Sequence, residues 1–150
     1  MSDLTYDIVI VGASLGGVAA ALRAGAMGAQ VCLLESTQWV GGQFTSQGVC
    51  KPDENKYVET VGSTASYRDF RHRCRAFYRN NYKLSDVGAS MPLFNAGGAW
   101  DAAQPQFAVD PKTGDSILKQ MLSEAPSVHL RGWIDQHVCG GLLPRRHRPR

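Results

Sequence analysis

Glycines at positions 12, 16 and 17 follow an apolar run, Tyr6-Asp7-Ile8-Val9-Ile10-Val11, and open an alanine-rich stretch over 18–27. A carboxylate, Glu35, closes a second apolar run, Val31-Cys32-Leu33-Leu34, 18 residues after Gly17. A glycine turn between strand and helix offers the helix's first N–H groups, and the positive end of its dipole, to whatever lies at the turn. A pyrophosphate suits that place. An acidic side chain at the end of the second strand suits ribose hydroxyls. The arrangement predicts a dinucleotide-binding βαβ unit.

Each residue of Gly12-Ala13-Ser14-Leu15-Gly16-Gly17 can be given a task. Gly12 lets the chain leave the first strand in a tight turn that a Cβ would obstruct. Gly17 lets the helix lie close against the strands, and Gly16 can widen the turn. Ser14 stands where the second glycine of G-x-G-x-x-G is expected. It costs some close backbone approach, but its hydroxyl can donate to a phosphate oxygen. Two other readings compete. The glycines could merely permit a turn. Gly12-Ala13-Ser14-Leu15-Gly16 also spells G-x-S-x-G, the nucleophile elbow of α/β-hydrolases, with Ser14 as nucleophile. Position weighs against the elbow, which follows several strands, whereas this turn follows the first.

Residues 6–82 resemble the N-terminus of FAD-dependent oxidoreductases of the two-dinucleotide-binding-domain type. The resemblance rests on Asp7-Ile8-Val9-Ile10-Val11-Gly12, on Glu35, and on Trp39-Val40-Gly41-Gly42-Gln43. The stretch Gly41-Gly42-Gln43-Phe44-Thr45-Ser46-Gln47-Gly48-Val49 is similar to a bacterial subgroup of those flavoproteins, as more weakly is Asn95-Ala96-Gly97-Gly98-Ala99-Trp100. The resemblance implies an FAD cofactor, with Gly12, Ser14, Gly17, Glu35, Gly41 and Gly42 as contacts and Gly16 within the same turn. A flexible surface turn is the plain alternative for Gly41-Gly42. No acid, base or nucleophile is implied, because flavin carries the redox chemistry itself.

With 43% apolar and 19% charged residues, the chain has the composition of one globular domain. No run approaches the ~20 apolar residues of a membrane span, and the start has no secretory pattern. Cys32, Cys50, Cys74 and Cys139 show no metal-binding spacing. Free thiols in a reducing, cytoplasmic setting are the expectation, with no metal site and no membrane partner. The net charge of +3 comes from the tail: without its four arginines the remainder is −1. A specific nucleic-acid partner is therefore not expected. The expected organisation is a Rossmann-like domain over 1–135 and a basic, disordered tail over 136–150.

The expected fold class is α/β, with strand, helix and strand over 6–35. Both strands read as buried on two faces of a parallel sheet. A long polar loop follows over 37–65. A helix then starts at a capping box of Ser66 and Asp69, with Tyr67, Phe70, Cys74 and Phe77 on its apolar face. Arg68, Arg71, Arg75 and Arg79 form a stripe that reads as a solvated face or, less simply, as an anion-binding one. No period survives over 83–114. Gly114-Asp115 looks like a helix start, and Val128-His129-Leu130 like a short third strand. Two or three strands make an incomplete sheet. The chain thus reads as the N-terminal part of a larger flavoprotein, not competent in turnover alone and able to self-associate through an open sheet edge.

Overall fold

The computed structural model describes residues 5–52, 54, 57–94 and 107–132. The strands are β1 (Ile8–Val11), β2 (Val31–Glu35) and β3 (Val128–Gly132). The helices are α1 (Leu15–Ala26), α2 (Ala65–Asn81), α3 (Asp86–Ser90) and α4 (Pro111–Ser123). The three strands form one parallel sheet in the order β1-β2-β3. Ile8 pairs with Val31, and Val31 with Val128, so the two interfaces share one register. This is a mixed α/β fold of the Rossmann-like βαβ kind.

Helix α1 packs against the strands, α4 against β3, and α2 against α4. Val31 and Leu33 on β2, Val18 and Ala21 on α1, Phe70 on α2 and Leu118 on α4 meet in one apolar core. Burial of this kind stabilises by roughly 25 cal/mol per Å² of apolar surface. β2 is buried along Val31 to Leu34, as a central parallel strand should be.

β1 departs from expectation. Ile8, Val9 and Val11 are 40%, 38% and 65% exposed. An apolar run records that a strand is suited to burial but not whether anything lies on its outer side. β1 is the edge, and no described strand pairs with it there.

The segment expected to be a polar loop is tied inward by Val40 and Phe44, both almost fully buried. Phe44 meets Phe70 and Phe107, with ring centroids 6.1 and 6.2 Å away. The cap of α2 lies at Thr64, not Ser66: its hydroxyl accepts from the Tyr67 N–H at 3.2 Å. The cap of α4 is Asp110, ahead of Pro111, and the expected apolar residues Ile117, Leu118, Met121 and Leu122 are buried. The proline supplies a first-turn residue that needs no N–H partner. Helix α3, capped by Ser85, lies where no period was legible, because five residues are too few to repeat one.

The arginine stripe of α2 is not a solvated face. Arg71 and Arg75 are buried, and each forms an ion pair with Glu59; Arg71 also pairs with Glu54. The Arg71 guanidinium lies 4.4 Å from the centroid of Phe107. Arg79 covers Phe94 and donates to the carbonyls of Met91 and Pro92, and Arg68 donates to the carbonyl of Thr60. The stripe holds irregular chain onto the helix. Burial raises the Glu59 carboxyl, but hydrogen bonds and charge from Arg75 and Arg71 outweigh it, leaving the group below the usual carboxylate value. Beside them Cys74 is pushed up to about 12 by burial, so it stays a thiol.

Removing Glu59 leaves two buried guanidinium groups short of a counter-charge. Glu59→Gln should cost about 3–5 kcal/mol, measured by urea unfolding at neutral pH. The carboxyl's folded pKa is lowered, so its stabilisation is complete above the unfolded pKa and is lost as pH falls through the folded value. The difference between wild type and variant should therefore narrow in acid. An equal difference near neutrality and at about pH 3 would contradict this assignment.

Candidate functional site

The Gly12 N–H donates to the Leu34 carbonyl at 2.7 Å, and there the β1–β2 ladder ends. Gly12 then takes φ +94°, a backbone conformation that L side chains rarely adopt. A Cβ at that position would meet nothing within 4 Å. The need for glycine thus lies in the backbone angle, not in the volume of a side chain as the sequence suggested. At Gly17 volume decides: an added Cβ would lie 1.9 Å from the Gly12 carbonyl oxygen. Helix α1 begins that close to the strand exit. Gly16 is under no such constraint, since its nearest neighbour would be Ser14 Oγ at 3.8 Å.

Ser14 caps α1. Its Oγ accepts from the Gly17 N–H at 3.3 Å, and its carbonyl accepts from the Val18 N–H at 2.9 Å. The hydroxyl hydrogen remains able to donate. Among the described residues no histidine or carboxylate is hydrogen-bonded to Ser14. The Gly16 N–H, also in the first turn, has no acceptor among the described residues.

Glu35 reaches back to the same turn. Its Oε2 accepts from the Ala13 N–H at 2.8 Å, and its Oε1 from the Thr37 N–H at 2.9 Å. Burial raises this carboxyl, but the N–H groups of Thr37 and Ala13 and the hydroxyls of Thr37 and Ser36 outweigh it and hold the group below its usual value. It is a fixed anion with acceptor capacity to spare.

The Gly41-Gly42 pair lies on this turn. The Gly41 N–H donates to the Ala13 carbonyl at 2.7 Å, and a single parallel bridge pairs Ser14 with Gly41. Both glycines have positive φ, +120° and +59°. A Cβ on Gly42 would lie 3.1 Å from the Ser14 Cβ, and one on Gly41 would lie 2.8 Å from both Leu118 and Thr45. These glycines are a docked element and not a loose surface turn. Thr45, three residues past Gly42, is buried with its hydroxyl unpartnered among the described residues.

Glycine turn, helix terminus, fixed carboxylate and glycine loop converge at the carboxyl end of a parallel sheet, where α/β folds bind ligands. The site defines a Rossmann-like α/β protein. The sequence matches the model of the FAD dependent oxidoreductase family over residues 7–134, and the chain belongs to that family. No curated protein matches it significantly. The family implies FAD binding. The residues present fit a diphosphate: a capped helix start, open space at Gly12, two positive-φ glycines and an unpartnered buried hydroxyl.

Sequence reasoning brought out seven residues, Gly12, Ser14, Gly16, Gly17, Glu35, Gly41 and Gly42, and the fold gathers all of them. It missed Ala13, whose N–H and carbonyl meet Glu35 and Gly41, because backbone groups leave no side-chain signal. It also missed the hydrogen bond from the Val40 N–H, beside the glycine loop, to Asp115 on α4. The similarity at Asn95 to Trp100, the basic tail and Cys139 lie outside the described residues. Among the described residues, no helix is long and apolar enough to cross a membrane.

The two glycines of the first turn should separate cleanly. Gly17→Ala should lower stability by about 2–3 kcal/mol, since the methyl collides with backbone. Gly16→Ala should leave stability unchanged or raise it by up to about 1 kcal/mol. Urea midpoints of the two variants measure the difference, and equal midpoints would contradict the close approach at Gly17.

Proposed function

We propose that the chain binds FAD through its ADP moiety, as the cofactor-binding part of a flavin-dependent oxidoreductase. One observation carries this reading: the Gly41 N–H to Ala13 carbonyl bond joins the glycine loop in which the chain resembles flavoproteins to the turn that suits a diphosphate. Gly12 leaves room for the diphosphate, Gly16 offers it a free N–H, and the Ser14 hydroxyl donates to one of its oxygens. Gly17 holds the helix terminus in place. Glu35 accepts from ribose hydroxyls with the lone pairs that Ala13, Thr37 and Ser36 leave free. Gly41 and Gly42 bring backbone close to the diphosphate and the ribityl chain. When bound, the flavin supplies the redox chemistry, and these residues bind and orient it.

A second reading, nucleotide binding without turnover, is favoured by the bare outer side of β1. An uncharged edge strand with no described strand on its outer side is suited to pair with another chain. On that reading the chain self-associates through β1, and residues 136–150 take no part in binding. Val11→Lys should then lower the mass seen by light scattering, and removal of 145–150 should leave nucleotide affinity unchanged. An unaltered mass in Val11→Lys would count against the edge.

Denaturing release from the purified chain should yield FAD. Glu35→Ala should weaken FAD binding by about 1–3 kcal/mol, the worth of a charged hydrogen bond. Calorimetric titration with FAD and with NAD decides the cofactor. Tight binding of NAD with none of FAD would overturn the reading.

A further inference from the structure

Helix α4 touches the glycine loop through three side chains on one face. Asp115 Oδ1 accepts from the Val40 N–H at 2.7 Å, across 75 residues of sequence. Lys119 Nζ donates to Asp115 Oδ2 and to the Gln38 carbonyl, each at 2.7 Å. The Leu118 Cδ1 lies where it would meet a Cβ on Gly41 at 2.8 Å. Positions 115, 118 and 119 share a helix face by their spacing of three and four. The next residue after Val40 is Gly41, whose N–H reaches the Ala13 carbonyl.

From this geometry we infer that Asp115 is a positioning residue for the cofactor site: its carboxylate fixes the Val40 peptide and so sets Gly41-Gly42 against Ser14. The inference rests on the FAD-binding reading above. The Val40 side chain anchors one side of that peptide in the core, and the Asp115 carboxylate holds its N–H. A loop with two glycines at positive φ has little stiffness of its own. Without an acceptor, the Val40 N–H must seek water, and the two glycines that follow it lose their fixed approach to the turn. The Lys119 ammonium neutralises the carboxylate and takes the Gln38 carbonyl, holding the chain on both sides of Trp39. Asparagine at 115 keeps an oxygen for the Val40 N–H and loses the charge. It therefore separates the hydrogen bond from the ion pair.

Two measurements on the full chain test this. The first is amide hydrogen exchange at Val40 and Gly41 without ligand. Exchange should quicken at least about ten-fold in Asp115→Ala, which loses the acceptor, and stay closer to wild type in Asp115→Asn, which keeps a neutral one. Unchanged exchange in Asp115→Ala overturns the inference, whether or not FAD binds. The second is calorimetric titration with FAD, with thermal unfolding confirming that each variant is folded. Affinity should fall about ten-fold in Asp115→Ala and return in Asp115→Asn. Equal affinity in wild type and Asp115→Ala overturns the inference. Absence of FAD binding in the wild type overturns the functional reading, and the exchange result still decides whether Asp115 holds the loop.

Discussion

The start of α1 rests on the carbonyl of Gly12 with no room for a Cβ between them. Much of the site follows from that contact. It brings the helix terminus within reach of the strand exit, and the turn between them is short enough that Ser14 both caps the helix and pairs with Gly41. The backbone of Ala13, itself fully buried, is held on both sides. Its N–H goes to Glu35 and its carbonyl to Gly41. A bulkier residue at 17 would lift the helix away and loosen all three connections together.

The site is therefore a set of backbone groups aimed by tertiary contacts, with few side chains of its own. Each hydrogen bond is worth only about 0.5–1.5 kcal/mol net, and their shared geometry matters more than the sum. Phe44 anchors the glycine loop on one side, in a group of rings with Phe70 and Phe107. Behind those rings lie Arg71, Arg75, Glu54 and Glu59. Buried charge here is a scaffold that locks irregular chain to α2. Such pairs contribute little net stability when intact and cost much when broken.

The βαβ unit and the candidate site residues that converge on it stood out in the sequence because their signals are local: apolar runs of strand length, glycines at a turn and a carboxylate closing a strand. The apolar face of α4 was legible from its period. Three features were not. Exposure of Val11 depends on whether another strand lies beside β1, and the run itself is silent on that. Burial of Arg71 and Arg75 depends on Glu54 and Glu59, which come from a segment that reads as polar loop. The grip of Asp115 on Val40 depends on how the chain returns after α2. Periodicity reports which residues share a face, not what that face meets.

Membership of the FAD dependent oxidoreductase family and the convergence of these groups at one end of the sheet lead to a single central claim: FAD sits on the turn between β1 and α1, under the glycine loop. Amide chemical-shift mapping by NMR during titration with FAD addresses it most directly. The claim requires the largest shifts at Gly12, Ala13, Gly16, Gly41 and Gly42, with α2 unperturbed. Shifts centred on α2 or on the outer side of β1, with the glycine turn silent, would contradict it.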